Sequence, residues 1–298
     1  DYTIRNVLSG YEPYNSSSRI NIQTFSAEYQ NNLGKLNYRI GAEGVWREQK
    51  NDDTRKINSY IRPTFLLTYP LKNGSIQLQT LNGVNYPPIA NLNENTTIII
   101  PGVVNQGNPN LTSNNEYGTF LRINHYASWI QGQLAFFGVY TDSPMSVYYE
   151  WRTIQGKKYL VQTYENSHYQ WWYGMGYAIN IKPFKNELLN IGLYGSFERY
   201  SMSSGIIGKH NQWRIPLTYQ IDVRKGKWGA SYIGHVVAKE PRGPYNCWDE
   251  SASNFSVYYQ LGNWRITATG YWLFNDAKYR FETIDNPILS RKEWHTIK

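Results

Sequence analysis

Gln212-Trp213-Arg214-Ile215-Pro216-Leu217-Thr218-Tyr219-Gln220-Ile221-Asp222-Val223-Arg224 is the stretch that decides how the chain reads. Trp213, Ile215, Leu217, Tyr219, Ile221 and Val223 share one parity, and Gln212, Arg214, Thr218, Gln220, Asp222 and Arg224 share the other. A strand sends successive side chains to opposite faces, so this period of two predicts a strand with one apolar and one charged face. Thirteen residues is about twice the usual strand length of a soluble domain and enough to cross a bilayer at a tilt, which takes about 9 to 11. The strand alone leaves open whether its apolar side meets a protein core or lipid.

The remaining chain repeats the design. After a polar stretch at 11–18, a strand is predicted from about Arg19 to Tyr29, followed by a tight turn at Asn31-Asn32-Leu33-Gly34. Leu36, Tyr38, Ile40, Ala42 and Trp46 then oppose Asn37, Arg39, Glu43 and Arg47, and a charged loop is expected from Glu48 to Lys56. The next strand, around Ile57 to Tyr69, contains Pro63, which argues for an edge or bulge in a soluble sheet. Further strands are expected at 75–84, 117–127, 130–149, 159–181, 189–198, 228–238, 255–261 and 264–274. That makes about twelve. Short turns near 32, 73, 128, 185, 226 and 262 alternate with long connections near 52, 100, 155, 206, 245 and beyond 275. Outer-membrane barrels show this asymmetry, whereas the crossovers of sandwiches mix loop lengths.

Composition agrees with a barrel without requiring one. Aromatic residues make up 16% of the 298, and Trp46, Tyr69, Trp213, Trp228, Trp264 and Trp272 fall near strand ends, as interfacial girdles require. The net charge of +8 is scattered rather than gathered in a polybasic block, so no nucleic-acid partner is expected. Cys247 is the only cysteine, which excludes an internal disulfide. The sequence opens on Asp1 and ends at Lys298 without a signal-like segment, so it reads as a fragment or a processed piece.

Two segments carry a resemblance. Tyr86-Pro87-Pro88-Ile89-Ala90-Asn91-Leu92-Asn93 and Gly107-Asn108-Pro109-Asn110-Leu111 flank a variable loop between two long strands. They resemble the C-terminal half of the barrel of TonB-dependent outer-membrane receptors, closest to the outer-membrane β-barrel families of Bacteroidetes-type bacteria. Gly107 to Leu111 matches well, although Thr112-Ser113 departs from the usual Lys-Pro and Pro88-Ile89 matches loosely. Tyr164-Glu165-Asn166, then Gly174, then Lys182-Pro183-Phe184 resembles the family as well.

The resemblance implies an all-β, antiparallel, up-and-down transmembrane barrel in the bacterial outer membrane. The present strands would be an incomplete part of about 22, with plug domain and final strand absent from residues 1–298. It further implies uptake of a large nutrient, such as an iron chelate, a cobalamin or a glycan. Its partners would be outer-membrane lipid, the TonB system acting through a plug not included here, and a surface lipoprotein.

Catalysis is not expected. His125, His168, His210, His235 and His295 form no metal-ligand spacing, and no cofactor loop is complete: Gly174-Met175-Gly176 lacks a third glycine, and Gly205-Ile206-Ile207-Gly208-Lys209 misses phosphate-loop spacing. If the apolar parity meets lipid, then Arg39, Glu43, Arg62, Arg122, Arg214, Gln220 and Asp222 line a wet interior. Two alternatives stay open: a passive porin-like barrel, and a soluble aromatic-rich β-sandwich that binds carbohydrate.

Overall fold

The computed structural model describes residues 2–5, 15–51, 54–184, 188–206, 208–236, 238–242, 245–248, 253–271, 278–283 and 292–295. Strand β1 (Tyr2–Arg5) is followed by β2 (Asn15–Leu33), β3 (Leu36–Asn51), β4 (Thr54–Leu71) and β5 (Gly74–Asn85). A loop with the single helical turn α1 (Ile89–Leu92) and the hairpin β6 (Thr97–Ile100) and β7 (Val103–Asn105) leads to β8 (Asn114–Tyr126) and β9 (Ile130–Asp142). The hairpin β10 (Met145–Ile154) and β11 (Lys157–Asn166) precedes β12 (Tyr169–Ile181) and β13 (Leu189–Ser204). Then come β14 (Gly208–Arg214), β15 (Leu217–Lys225), β16 (Trp228–Val236), β17 (Lys239–Arg242) and β18 (Tyr245–Trp248). The last four are β19 (Ser253–Leu261), β20 (Trp264–Tyr271), β21 (Lys278–Thr283) and β22 (Lys292–His295).

One sheet of 14 strands dominates, in the order β1-β2-β3-β4-β5-β8-β9-β12-β13-β15-β16-β19-β20, with β14 also paired to β13. Counting β14 with β15 and setting β1 aside leaves the twelve crossings expected from periodicity. Every pairing in it is antiparallel, from β1 with β2 to β19 with β20. Among the described residues no ladder joins β20 back to β1 or β2, so the sheet is a wall and not a closed ring.

The opening stretch is two strands in one register. Arg214 pairs with Glu198 and Leu217 with Gly195, so the count across β13 is unbroken through Ile215 and Pro216. Proline has no N–H to give the ladder; its carbonyl still accepts from Ser196 N at 3.2 Å. Pro63 has a related effect. Phe65 N–H points toward β5, where Thr80 Oγ1 accepts it at 3.0 Å. The nitrogen of Pro63, two residues away, therefore falls on the same edge with nothing to donate. The ladder between β4 and β5 ends at Leu66 opposite Gln79, and beyond it Asn82 Nδ2 donates to the Pro63 carbonyl.

Three expected elements differ. The charged loop at 48–56 is largely strand, because β3 and β4 pair as far as Asn51 opposite Thr54. Residues 130–149 divide into β9 and β10, and 159–181 into β11 and β12, with breaks at Ser143-Pro144 and Ser167-His168. The hairpin β10–β11 leaves the wall and joins β7 and β6 in a separate four-stranded sheet. Beyond the membrane both faces of a strand are wet, so pairing continues there without the apolar alternation that sequence periodicity needs. The turn expected near 185 and Trp272 lie outside the described residues.

The two faces of the wall follow the predicted parities. Trp213, Ile215, Ile221 and Val223 are exposed, and no second sheet packs on them among the described residues. The same face carries Phe25, Ile61, Phe136, Trp171, Phe197, Trp228 and Ile266, all exposed. A sandwich core is thereby excluded for this stretch. Short turns at Gly34-Lys35, Lys72-Asn73, Gly226-Lys227 and Gly262-Asn263 lie together at one end, hereafter the turn side. At Gly226 the turn needs φ of +60°, which side chains with a Cβ rarely adopt. Near these turns the apolar face carries Tyr69, Trp228 and Trp264; about ten residues higher it carries Trp46, Tyr117, Trp171 and Trp213. Two aromatic belts one crossing apart are the expected membrane interfaces.

Candidate functional site

The opposite face of the wall is polar, and some of its charges are ion-paired while others are held by amides. Arg62 Nη2 meets Glu43 Oε1 at 2.7 Å, with the two residues directly opposite in the ladder. Arg39 Nε lies 3.3 Å from Glu28 Oε1, and Arg122 Nη1 donates to Gln79 Oε1 at 3.0 Å. Asp222 accepts from Gln220 Nε2 at 2.8 Å and from Asn190 Nδ2 at 3.3 Å. Arg214 Nη1 sits 3.6 Å from Glu198 and 3.6 Å from Glu240. All seven residues singled out from the sequence therefore lie on one face, but in separate small networks and not in one cluster.

Glu198 is the residue that sequence reasoning passed over. It is 6% exposed. Trp172 Nε1 donates to its Oε2 at 2.9 Å and the Ser196 hydroxyl to its Oε1. The signal was available: Glu198 shares the polar parity of β13 with Asn190, Tyr194 and Ser196. What could not be read is that Arg214, at the end of the next strand, stands directly opposite it.

A second group lies toward the loop side. Arg47 is 3% exposed, and its guanidinium stands 3.6 Å from the ring centre of Tyr86. The Tyr86 hydroxyl donates to Tyr60 at 2.6 Å. Burial first, and then that contact with Tyr60, raises the Tyr86 phenol above its ordinary pKa, so the ring remains neutral. Arg47 Nε has no hydrogen-bond partner among the described residues. A cation over an aromatic face in a dry setting gains about 2 kcal/mol.

The segments that carried the resemblance meet in space. Gly107 N donates to Asn93 O at 2.8 Å and Asn108 N to Asn91 O at 2.7 Å. Asn108 Nδ2 reaches Tyr164 O at 3.0 Å. Thr112 N donates to Asn166 Oδ1 at 2.8 Å, and Asn166 Nδ2 returns to Thr112 O at 3.1 Å and Ser143 O at 2.8 Å. A Cβ on Gly107 would stand 2.4 Å from Asn93 O, so only glycine admits the neighbouring backbone. Asn110 N bonds back to Asn108 Oδ1 at 2.9 Å, Pro109 shapes the turn between them, and Leu111 is 2% exposed. With β7 running parallel to β11, this clasp binds the long loop to the β10–β11 hairpin.

A single antiparallel wall with an exposed apolar face, two aromatic belts and a polar, hydrogen-bonded opposite face is a section of a membrane β-barrel. The family model for the outer membrane protein beta-barrel family matches residues 21–297, and the chain belongs to that family. Its place is the bacterial outer membrane. No curated protein sequence matches the chain. Among solved structures it is similar to the FrpB iron transporter from Neisseria meningitidis, with TM-score 0.62, 9% identity and 95% of this chain covered. It is also similar to BauA, the ferric preacinetobactin receptor of Acinetobacter baumannii, with TM-score 0.57, 12% identity and 96% coverage. For the siderophore receptor PirA of Pseudomonas aeruginosa the values are 0.51, 11% and 91%. The chain spans 44%, 43% and 59% of those three structures, respectively.

Proposed function

We propose that this chain forms part of the wall of an outer-membrane receptor that takes up a large nutrient, an iron chelate before a cobalamin or a glycan, with energy supplied through TonB. The similarity to the iron transporter and the two receptors favours the iron chelate. In this reading Arg39, Glu43, Arg62, Arg122, Arg214, Gln220 and Asp222 line the lumen, where paired charges hold the wall and stay hydrated. Coupling to TonB would belong to a plug outside these residues. A surface lipoprotein would be a further partner in this reading.

The observation that carries the reading is the pairing of an exposed apolar face with a polar face whose charged side chains are bonded to neighbours on the same wall. The test is uptake of a radiolabelled ferric chelate by cells with and without TonB, each with and without the gene for the full protein. Uptake lost on removing either supports the reading. Uptake or conductance that persists without TonB would instead favour a passive porin-like barrel.

A further inference from the structure

β4 and β5 separate partway across the membrane. Their ladder runs from Leu71 opposite Gly74 to Leu66 opposite Gln79 and stops there. Both strands continue, β4 paired with β3 as far as Thr54 and β5 paired with β8 as far as Asn85. The fork begins above Tyr69 of the turn-side belt and reaches Ser59, which stands opposite Trp46 of the loop-side belt. It therefore lies at the depth of hydrocarbon, where each backbone polar group needs a partner within the protein.

Side chains supply those partners. Phe65 N donates to the Thr80 hydroxyl at 3.0 Å and not to the Thr80 carbonyl, and the Asn82 side-chain amide takes the place of its own N–H in donating to the Pro63 carbonyl. Both contacts continue the register set by Leu66 and Gln79, and they leave no width for another strand between β4 and β5 at those rows. Along β5, Ile76 and Leu78 stand opposite Tyr69 and Leu67 of the apolar face, and Thr80 and Asn82 continue that parity. The fork explains why two polar residues occupy it. A third bridge sits on the lumen side, where Tyr86, the first residue past β5, donates to the Tyr60 hydroxyl at 2.6 Å and stacks on Arg47. Rotatable side chains thus hold the loop-side half of a seam whose turn-side half is held by six rows of backbone pairing.

We propose that the β4–β5 seam is a lateral slit in the wall, hinged at Leu66 and Gln79 and latched by Tyr86 at the root of the long loop. When Tyr86 leaves Tyr60, the loop-side half of β4 parts from β5 while each strand keeps its other neighbour. The side-chain bridges can break and reform without unzipping a ladder. Opening of the slit is a property of the wall and does not depend on what the barrel transports.

Full-length protein carrying C247S is reconstituted in lipid bilayers and spin-labelled in pairs for dipolar EPR. I61C/V84C lies across the seam in the continued register, and V84C/N115C lies directly opposite across the intact β5–β8 ladder. The seam pair is expected to show a short distance with a minor longer one, and the ladder pair a short distance alone. Tyr86→Ala is expected to raise the longer fraction at the seam at least threefold and to leave the ladder pair unchanged. A seam distance that Tyr86→Ala does not alter, or one that lengthens equally across β5–β8, overturns the proposal. Heat-modifiable gel migration reports folding; if Tyr86→Ala fails to fold, Tyr60→Phe, which removes only the hydroxyl contact, must raise the longer fraction at least twofold.

Discussion

Arg47 and Tyr86 stack at 3.6 Å, and the arginine is buried without a carboxylate among the described residues. The ring is therefore what stabilises the charge. Tyr86→Ala is expected to cost about 2 kcal/mol or more, since it removes the cation–π contact and leaves a dry guanidinium. Tyr86→Phe keeps the ring and gives up only the hydroxyl bond to Tyr60, so it should cost about 1 kcal/mol. Urea unfolding of the receptor in lipid bilayers measures both, and equal costs would refute the stacking argument.

Ile221 and Trp213 test the solvent of the apolar face by depth. Ile221 lies five residues from the Gly226 turn, near mid-membrane, while Trp213 is in the loop-side belt. Ile221→Arg is expected to destabilise by about 2 to 4 kcal/mol and Trp213→Arg by about 1 or less from the charge itself. The same unfolding assay reads the difference. Similar small effects at both positions would mean that water, not hydrocarbon, covers the face.

Gly107→Ala should open the clasp. Its Cβ would collide with the Asn93 and Asn91 carbonyls, and neither can retreat without breaking its own bond to the loop. The expected cost is about 1 to 3 kcal/mol, confined to the loop-side sheet. Amide exchange should rise at 91–111 and in β11 while the wall from β8 to β16 remains protected. Unchanged exchange at 91–111 would contradict the clasp.

Arg214 faces a buried Glu198, so removing one partner strands the other. Arg214→Ala is expected to cost about 3 kcal/mol. E198Q in the same background should recover part of that, because Gln still accepts from Trp172 while the uncompensated charge disappears. A double-mutant cycle gives the coupling; purely additive effects would mean that Glu240 alone holds Arg214.

Much of the wall was legible because alternation of Trp213, Ile215, Leu217, Tyr219, Ile221 and Val223 needs no knowledge of any other strand. The same holds for the turn side, where Gly226-Lys227 and Gly262-Asn263 announce tight reversals locally. Legibility failed where the membrane stops. Residues 48–51 and 54–56 pair as strands where no apolar period marks them, and the breaks at 143–144 and 167–168, which divide two long expected strands and send β10–β11 into a separate sheet, carry no local signal either.

Local alternation alone determined that one side of each strand is oily and the other charged, since that follows from the geometry of a single extended chain. It could not say which distant residues stand opposite one another. The tertiary register set Arg214 beside Glu198, gathered Arg19, Lys50 and Arg55 into one row, and brought Asn93, Gly107 and Asn166 into a common clasp. Those neighbours are chosen by the register in which one strand pairs with another, and for the clasp by contacts between distant segments, neither of which any single segment carries in its own residues.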